Sequence, residues 1–326
     1  MNYNFVIFAS DFYCYETAYG DVIDLDNVQY LSNYIPNKNK FQNYLYRIHH
    51  SPILHKIVDI PNKKFWFRSY FENNFLHDYP ICFMFFGRNL ILEEYGYVEY
   101  LKKKYPNSKY VCFFQDLMVQ HSINNIDHLK TVFDLIISFD HNDANQYNIE
   151  YFSLVNSKSK DDLSSNLNES DVFFLGAAKN RFDEIIAAYE KLRAKNLKCD
   201  FHIVGVKPKD QKYSDDIHYI KDMSYIENLK HIVKANSILE IMQQNGHGFT
   251  QRMVEAIVYD KKIITNNPEV KTSSFYNPSN IFVFDNSEEL GTETLFFENF
   301  GRKADHEYKD EISPLKLLEF ITEKLN

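Results

Sequence analysis

The chain has 326 residues and a formal net charge of −9, which argues against binding nucleic acid through a general positive field. Only 9 residues are glycine and 16% are aromatic, and the sequence has neither a GxGxxG dinucleotide motif nor a GxxxxGK[ST] phosphate loop. The length predicts about two domains. The four cysteines form no CxxC pair, which excludes zinc ribbons and thioredoxin-like motifs, and we expect free thiols in the cytosol.

The N-terminal residues lack the basic region and the long apolar run of a signal peptide. No apolar stretch approaches the ~18 residues that a transmembrane helix needs. We therefore expect any membrane contact to be peripheral.

Short apolar runs bounded by polar turns predict buried parallel strands in the first half of the chain. These runs are Phe5–Ala9, Ile81–Phe86, Tyr110–Phe114 and Leu135–Phe139. Helical spacing over Leu90–Lys104 places a helix between two of them, and this alternation indicates a parallel α/β sheet. The region Pro36–Tyr79 is polar and aromatic, with no clean period.

A polar stretch, Asn156–Ser170, has the composition of a linker and separates the two halves. The second half predicts a complete doubly wound domain. Its predicted strands are Val172–Leu175, Asp200–Val204, Ile217–Ile220, Ser237–Met242, Lys262–Thr265 and Ile281–Phe284. Its predicted helices are Arg181–Lys195, Tyr225–Lys234, Thr250–Tyr259 and Pro314–Leu325. We expect domains at residues 1–158 and 170–310, with a terminal helix at 311–326 that crosses back to the first domain.

The segment from Leu239 to Asn267 is the most informative for function, because a polar loop there enters a helix after a strand. Unpaired N–H groups and the dipole at a helix N-terminus suit a phosphate. Thr250 is the expected N-cap, and Arg252 in the first turn could reach the same anion. A carboxylate at Glu255 suits a pair of ribose hydroxyls, although a capped crossover helix with a solvated Glu255 fits the same spacing.

This segment resembles the nucleotide-sugar-binding domain of two-domain glycosyltransferases of the GT-B fold. Many retaining members carry Glu-Gly-Phe-Gly and a second Glu eight positions after the first. This chain has His247-Gly248-Phe249-Thr250 followed by Glu255. The resemblance implies that Glu255 binds the nucleotide ribose, whereas His247 in place of the first acid leaves inversion or retention open.

The run FDLIISFD before the linker resembles bacterial capsular and exopolysaccharide glycosyltransferases more closely, and the likeness covers most of residues 130–285. A second basic site is predicted in LGAAKNR, where Gly176 follows a strand and two cations, Lys179 and Arg181, stand at the start of a helix. By resemblance, such residues bind the donor diphosphate and stabilise the departing nucleotide. A solvated helix start is the alternative. By the same resemblance, the loop at Tyr225 contacts the nucleotide base, although such a tyrosine is more often packed.

No DxD-like metal motif is convincing, so we expect no required metal and no cofactor. Asp11, directly after the first strand, could be the general base that takes the proton of an acceptor hydroxyl. Asp116 and His247 are the rival candidates, and each of the three also has a structural interpretation. Gly87-Arg88-Asn89 is expected to shape the acceptor side. The run Lys63–Arg68 mixes basic and aromatic residues and predicts either a surface strand or a contact with an anionic membrane.

The resemblance implies an α/β protein of the GT-B type, with two Rossmann-like doubly wound domains that face each other across a cleft. The first domain would hold the acceptor and the second would bind the donor. The protein would be cytoplasmic, at the inner face of a bacterial membrane. It would be a hexosyltransferase that moves a sugar from a nucleotide-sugar donor to a hydroxyl of a lipid-linked glycan of a capsule, exopolysaccharide or lipopolysaccharide. The alternatives are a nucleotide-sugar epimerase on the same scaffold and a non-catalytic, glycan- or nucleotide-binding partner subunit of a transferase.

Overall fold

The computed structural model describes residues 2–9, 14–32, 40–49, 63–118, 126–242, 248–273, 275–292 and 295–326. The chain divides into two compact units. Unit 1 comprises Met1–Glu16, Val22–Phe152 and Leu317–Asn326, and unit 2 comprises Thr17–Asp21 and Ser153–Lys316.

Unit 1 is built on a parallel sheet of six strands in the order β2-β1-β3-β4-β5-β6. The strands are β1 (Asn4–Phe8), β2 (Val28–Leu31), β3 (Ile81–Phe86), β4 (Lys109–Phe114), β5 (Leu135–Ser138) and β6 (Glu150–Tyr151). The helices are α1 (Tyr15–Ala18), α2 (Lys40–His49), α3 (Phe67–Tyr70), α4 (Ile91–Glu94), α5 (Tyr97–Lys104), α6 (Ile126–Val132) and α7 (His141–Tyr147). Every residue of β1 and β3 is buried, as expected for central parallel strands covered on both faces.

Unit 2 has a second parallel sheet of six strands, in the order β12-β11-β10-β7-β8-β9. The strands are β7 (Ser170–Ala177), β8 (Cys199–Val204), β9 (His218–Ile220), β10 (Ala235–Glu240), β11 (Lys262–Thr265) and β12 (Ile281–Val283). The helices are α8 (Phe182–Ala194), α9 (Tyr225–Lys234), α10 (Gln251–Val258) and α11 (Leu295–Glu298). A further helix, α12 (Pro314–Leu325), begins in unit 2 and belongs to unit 1 from Leu317 onward. Counted from β7, this is the strand order 3-2-1-4-5-6 of dinucleotide-binding domains, and the order reverses between β7 and β10.

These two sheets confirm the predicted fold class, α/β with two Rossmann-like doubly wound domains. The predicted helix Tyr225–Lys234, strand Lys262–Thr265 and helix Pro314–Leu325 have the predicted bounds. Each of the four cysteines is a free thiol.

Three local predictions for unit 1 were wrong or incomplete. The run Lys63–Arg68 is helical and not a strand, because a 3-10 turn over Lys63–Trp66 continues into α3 and buries Trp66 and Phe67. The helix predicted over Leu90–Lys104 is divided at Gly96, whose φ of +80° is left-handed. The edge strands β2 and β6 and the helix α2 were not predicted.

The last part of α12 packs within unit 1. Lys324 forms an ion pair of 2.7 Å with Glu150, and the rings of Phe320 and Phe152 are 5.1 Å apart. Among the described residues, no helix combines the length and the apolar character that a membrane span requires.

Candidate functional site

The candidate site lies at the carboxyl ends of β7 and β10, where the strand order of unit 2 reverses. In open α/β sheets, ligands bind in the crevice outside the strand ends at such a switch point. Two helices, α8 and α10, begin a few residues beyond these strands.

Two arginines meet at this point. Arg181 is buried at the N-cap of α8, and it donates from Nη1 to the carbonyl of Ile241 and from Nε and Nη2 to the carbonyl of Ala177. Arg252, in the first turn of α10, donates from Nε to the carbonyl of Leu175 at 2.9 Å. Within the described residues, neither guanidinium forms an ion pair with a carboxylate. The carbonyls therefore orient both side chains, while the carboxylates of Glu240 and Glu255 act on their charges from beyond ion-pair distance.

The two guanidinium groups converge over Gly176. A Cβ atom at this position would lie 3.0 Å from Nη2 of Arg252 and 3.1 Å from Nη2 of Arg181. Burial, and next the charge of Arg252, lower the pKa of Arg181 to about 10. Two like charges held this close are stabilised by an anion that binds both, and guanidinium groups match the geometry of phosphate oxygens.

Glu240, at the end of β10, is a buried residue of the site that the sequence did not identify. Its carboxylate accepts hydrogen bonds from the hydroxyls of Thr250 and Thr265, the latter at 2.5 Å. Thr250 is the N-cap residue of α10, as predicted, but its side chain does not cap the helix, because its hydroxyl bonds to Glu240. Glu240 stands inside the apolar run SILEIM, so its sequence context indicates only a strand.

Glu255 lies inside the protein between α10 and α9. Its exposure is 3%, so the alternative of a solvated Glu255 is wrong. Burial raises the pKa of Glu255 to about 7, although interactions with Tyr225, Arg252 and Asn228 oppose this shift. The predicted pair Tyr225 and Glu255 is thus brought together, with Tyr225 buried at the first position of α9.

Hydrogen bonds hold Gly248, which lies shortly before α10. Gly248 has a left-handed φ of +73°, and its N–H donates to the carboxylate of Glu269 at 2.9 Å. Its carbonyl accepts from the amide of Asn267 at 2.9 Å. Phe249 is buried against Phe275, with ring centroids 4.8 Å apart. The sequence predicted Gly248 and Phe249 as site residues but missed Asn267 and Glu269, which hold them.

Besides Gly248, two positions shortly after strand ends of unit 2 have left-handed backbones. Lys179 is exposed in the turn from β7 to α8, with φ of +44°. Gly205 follows β8 with φ of +84°, and a Cβ there would meet no atom within 4 Å. Glycine at 205 therefore serves the backbone conformation, whereas glycine at 176 leaves room for two side chains.

The switch point of unit 1 lies between β1 and β3, and a different pair of side chains stands near it. Asn89 donates to the carbonyl of Phe8 at 2.9 Å, which ties the residues after β3 to the end of β1. Arg88 forms an ion pair of 2.7 Å with Asp116, the candidate base that follows β4. The other two candidates for the base, Asp11 and His247, lie outside the described residues.

Solved structures resemble the chain in arrangement but hardly in sequence. The UDP-GlcNAc 2-epimerase of Methanocaldococcus jannaschii, solved with UDP-GlcNAc and UDP, is 15% identical and has a TM-score of 0.45 over 97% of this chain and 99% of its own. Sucrose-phosphate synthase of Thermosynechococcus elongatus is 11% identical with a TM-score of 0.43, and it covers 76% of this chain and 74% of its own. An alpha-glucosyltransferase solved with UDP and DNA is 11% identical with a TM-score of 0.39 over 75% and 74% of the two chains.

No protein-family model and no curated protein sequence matches the chain. The assignment of the fold therefore rests on the strand order and the parallel pairing of the two sheets described above.

Proposed function

We propose that this protein is a glycosyltransferase that binds a nucleotide-sugar donor at the switch point of unit 2 and transfers the sugar to a hydroxyl of a glycan. The observation that carries the proposal is the convergence of Arg181 and Arg252 over Gly176. This arrangement offers two oriented cations that form no ion pair with a carboxylate of the described residues, at the sheet edge where nucleotides bind in folds of this strand order.

For the donor we propose the roles that the resemblance implies, placed on the residues that the structure describes. The two arginines and the N-terminus of α10 would bind the diphosphate, with Lys179 in reach of the same turn. Glu255 would bind the ribose, and Tyr225 at the start of α9 would contact the base. Gly248, Phe249 and Thr250 would form the wall of the loop on the other side.

Transfer needs one bond to form and one to break. The oxygen of the acceptor hydroxyl attacks C1 of the donor sugar, the bond from C1 to the phosphate oxygen breaks, and the acceptor proton passes to a base. The nucleoside diphosphate leaves with an added negative charge, and Arg181 and Arg252 would stabilise that charge. In this role the arginines replace a metal ion, so we propose that transfer requires none. Asp11, Asp116 and His247 remain the candidates for the base.

The proposal that the acceptor is lipid-linked is supported by an exposed surface of unit 1. Helix α2 contacts the turn before α3, where the indole Nε1 of Trp66 donates a hydrogen bond to Nδ1 of His49 at 2.8 Å. This surface, the aromatic–basic surface, exposes large apolar side chains, among them Phe65 at 77%. The others are Phe41, Tyr44 and Leu45, and the basic side chains are Lys40, Arg47, Lys63, Lys64 and Arg68.

Residues 40–49 and 63–71 contain no acidic residue, although the whole chain carries a net charge of −9. Aromatic side chains at the interface and adjacent basic groups are the combination that binds anionic bilayers. We propose that the aromatic–basic surface contacts an anionic membrane, from which the enzyme would take a lipid-linked acceptor of the capsule, exopolysaccharide or lipopolysaccharide type.

The function is tested by incubating the purified chain with a panel of nucleotide sugars, with and without glycan acceptors. Slow release of nucleotide alone and faster release with an acceptor are expected for a transferase. Interconversion of donor sugars without acceptor would instead identify an epimerase, and binding without turnover would identify a partner subunit.

The donor site is tested by calorimetry with nucleoside diphosphates. We expect Arg252→Ala and Glu255→Ala to weaken binding, while Arg193→Ala, an exposed arginine at the other end of α8, retains it. Unchanged binding in both site variants would refute this donor site.

The membrane contact is tested by co-sedimentation with vesicles of anionic or neutral lipid. We expect binding to anionic vesicles only, and loss of binding in Phe65→Ser and in Lys64→Glu. Leu76→Ser is the matched control, because Leu76 is 86% exposed in the same unit but lies outside the aromatic–basic surface. Equal loss with the control would contradict the assignment.

A further inference from the structure

A buried cluster of two histidines and an aspartate lies in unit 2, between the sheet and α9. Asp200 and His202 are two residues apart on β8, so the alternation of a strand places them on the same face. His231 on α9 packs against that face. Phe201, between the two, faces the opposite way and packs in the core with Tyr189 of α8.

The ligand-type atoms of the cluster point at one another. Nε2 of His202 is 2.8 Å from one oxygen of Asp200, and Nδ1 of His231 is 2.6 Å from the other. Each of the three side chains offers one possible ligand atom, and these atoms lie within 4.8 Å of one another. Among the described residues, this is the one cluster of three or more His, Cys, Asp or Glu side chains with that spacing.

The surroundings are those of a closed site. The side chains of His202 and His231 are 8% and 10% exposed. The ring of Phe173 is stacked on that of His231 at 5.3 Å, and the ring of His218 on β9 is stacked on His202 at 4.8 Å. An apolar wall therefore limits access of water from one side, and the exposed His218 marks the side toward solvent.

The outer nitrogens of both rings can carry the ring proton. Nδ1 of His202 is buried and has no hydrogen-bond partner within the described residues. Nε2 of His231 is 3.9 Å from a carboxylate oxygen of Glu227. Each imidazole can thus hold its proton on the outer nitrogen and leave the inner lone pair free. For His231, the carboxylate of Glu227 would have to close from 3.9 Å to hydrogen-bond distance to give the usual support of a metal-bound histidine.

We propose that Asp200, His202 and His231 bind a divalent transition-metal ion, for which Zn²⁺ is the best match. Two imidazole nitrogens and one carboxylate oxygen are a common ligand set for zinc, with bonds of about 2.0–2.2 Å. At those lengths tetrahedral ligands are about 3.4 Å apart, so the carboxylate has to withdraw from the two nitrogens by somewhat less than 1 Å.

The ion would lie between the sheet and α9 and would link β8, through Asp200 and His202, to α9, through His231. This site is separate from the pair of arginines at the strand ends, and the proposal does not depend on the proposed function. The competing arrangement is a hydrogen-bonded His–Asp–His triad that never binds metal, in which protons take the place of the ion.

The experiment uses the full chain, freed of metal by a chelator and dialysed. Zn²⁺ is titrated by calorimetry, and Co²⁺ is titrated by absorption because tetrahedral Co²⁺ has intense visible bands. We expect one ion per chain, visible bands from Co²⁺ that Zn²⁺ displaces, and a rise in the thermal midpoint with Zn²⁺. Absence of stoichiometric binding in the wild-type protein would overturn the proposal without any variant.

Variants then locate the ion. His231→Gln and Asp200→Asn should each weaken Zn²⁺ binding by about 100-fold or more, and Glu227→Gln by about 10-fold. His141→Ala, an exposed histidine in unit 1, is the matched control and should bind like wild type. Wild-type affinity for Zn²⁺ in both His231→Gln and Asp200→Asn would place the ion elsewhere. If either of these variants fails to fold, Glu227→Gln, which removes no ligand, still tests the site.

Discussion

The arginines near the switch points of the two sheets differ in their partners, which are backbone carbonyls in unit 2 and a carboxylate in unit 1. In unit 2, Arg181 and Arg252 are held by backbone carbonyls and converge without a carboxylate partner in the described residues. In unit 1, Arg88 is paired with Asp116 at 2.7 Å. An arginine already held in an ion pair has little reason to attract an anion, whereas two arginines with no described carboxylate at ion-pair distance can bind one. The comparison teaches that the same position in two related sheets can differ in charge balance, and it supports the proposed diphosphate site in unit 2.

The largest effect is expected from removing one of the converging cations. Arg252→Ala should lower kcat/KM for the donor by about 10²–10³, because the positive charge aimed at the leaving group is lost. Arg88→Ala should leave the affinity for nucleoside diphosphate unchanged within about twofold, since its charge is already balanced. Steady-state kinetics and calorimetry on both variants measure these effects. A large loss of donor binding in Arg88→Ala, with none in Arg252→Ala, would contradict the contrast between the two switch points.

The buried carboxylate of unit 2 should make stability depend on pH. The pKa of Glu255 is about 7 in the folded protein against an ordinary value of 4.5, so the folded state binds the extra proton between these values. Wild-type stability should therefore fall relative to Glu255→Gln as the pH rises from 4.5 to 7, by on the order of 3 kcal/mol, and then stay level.

This difference is measured by denaturant unfolding of both proteins at pH 5 and pH 8. Glu323→Gln, an exposed position in α12, is the control and should show no such dependence. A constant difference between wild type and Glu255→Gln at both pH values would show that Glu255 titrates normally.

A smaller effect is expected from filling the space between the arginines. In Gly176→Ala, the new methyl group meets the ends of Arg181 and Arg252 and the buried ring of Phe174 at 3.0–3.1 Å, so these side chains shift by a few tenths of an ångström. Misplaced donors should weaken binding of nucleoside diphosphate by about 10- to 100-fold, and the displaced Phe174 should lower the thermal midpoint modestly. Gly301→Ala, where a Cβ meets nothing within 4 Å, should bind normally.

The smallest effect is expected at the switch point of unit 1. Asp116→Asn should lower kcat by about 10-fold or less and leave donor affinity unchanged, because the Asp116 carboxylate is engaged in an ion pair of 2.7 Å with Arg88. A loss of about 10²–10⁴ in kcat, with the loss of the acidic limb of the pH profile, would instead identify Asp116 as the general base and remove Asp11 and His247 from consideration.

The sequence predicted unit 2 better than unit 1 for a physical reason. Buried strands such as Lys262–Thr265 are short segments with apolar residues between polar ends, and Tyr225–Lys234 has clear helical spacing. In unit 1, the short edge strands β2 and β6 are only half-buried, and the helical turn at Lys63–Trp66 has an aromatic run that also suits a strand.

For the site, the same limits applied. Arg181, Arg252 and Gly176 could be predicted because each stands next to the end of a strand or the start of a helix. Glu240 was missed, since a single carboxylate inside an apolar strand gives no signal of its partners. His231 was missed as a neighbour of Asp200 because nothing in the local spacing reports a contact across 31 positions.

The hydrogen bonds from Thr250 and Thr265 to the carboxylate of Glu240 restrict which side chains can occupy position 240. A hydroxyl can reverse its role, so Thr265 or Thr250 could accept a hydrogen bond where it now donates one. Glutamine at 240 could therefore keep both contacts by reversing the direction of one hydrogen bond, whereas methionine, of similar size, would leave the buried hydroxyl of Thr265 and the half-buried hydroxyl of Thr250 without this acceptor. The position is thus closed to apolar side chains but open to an exchange of acid for amide, and related sequences should show that exchange at this strand end.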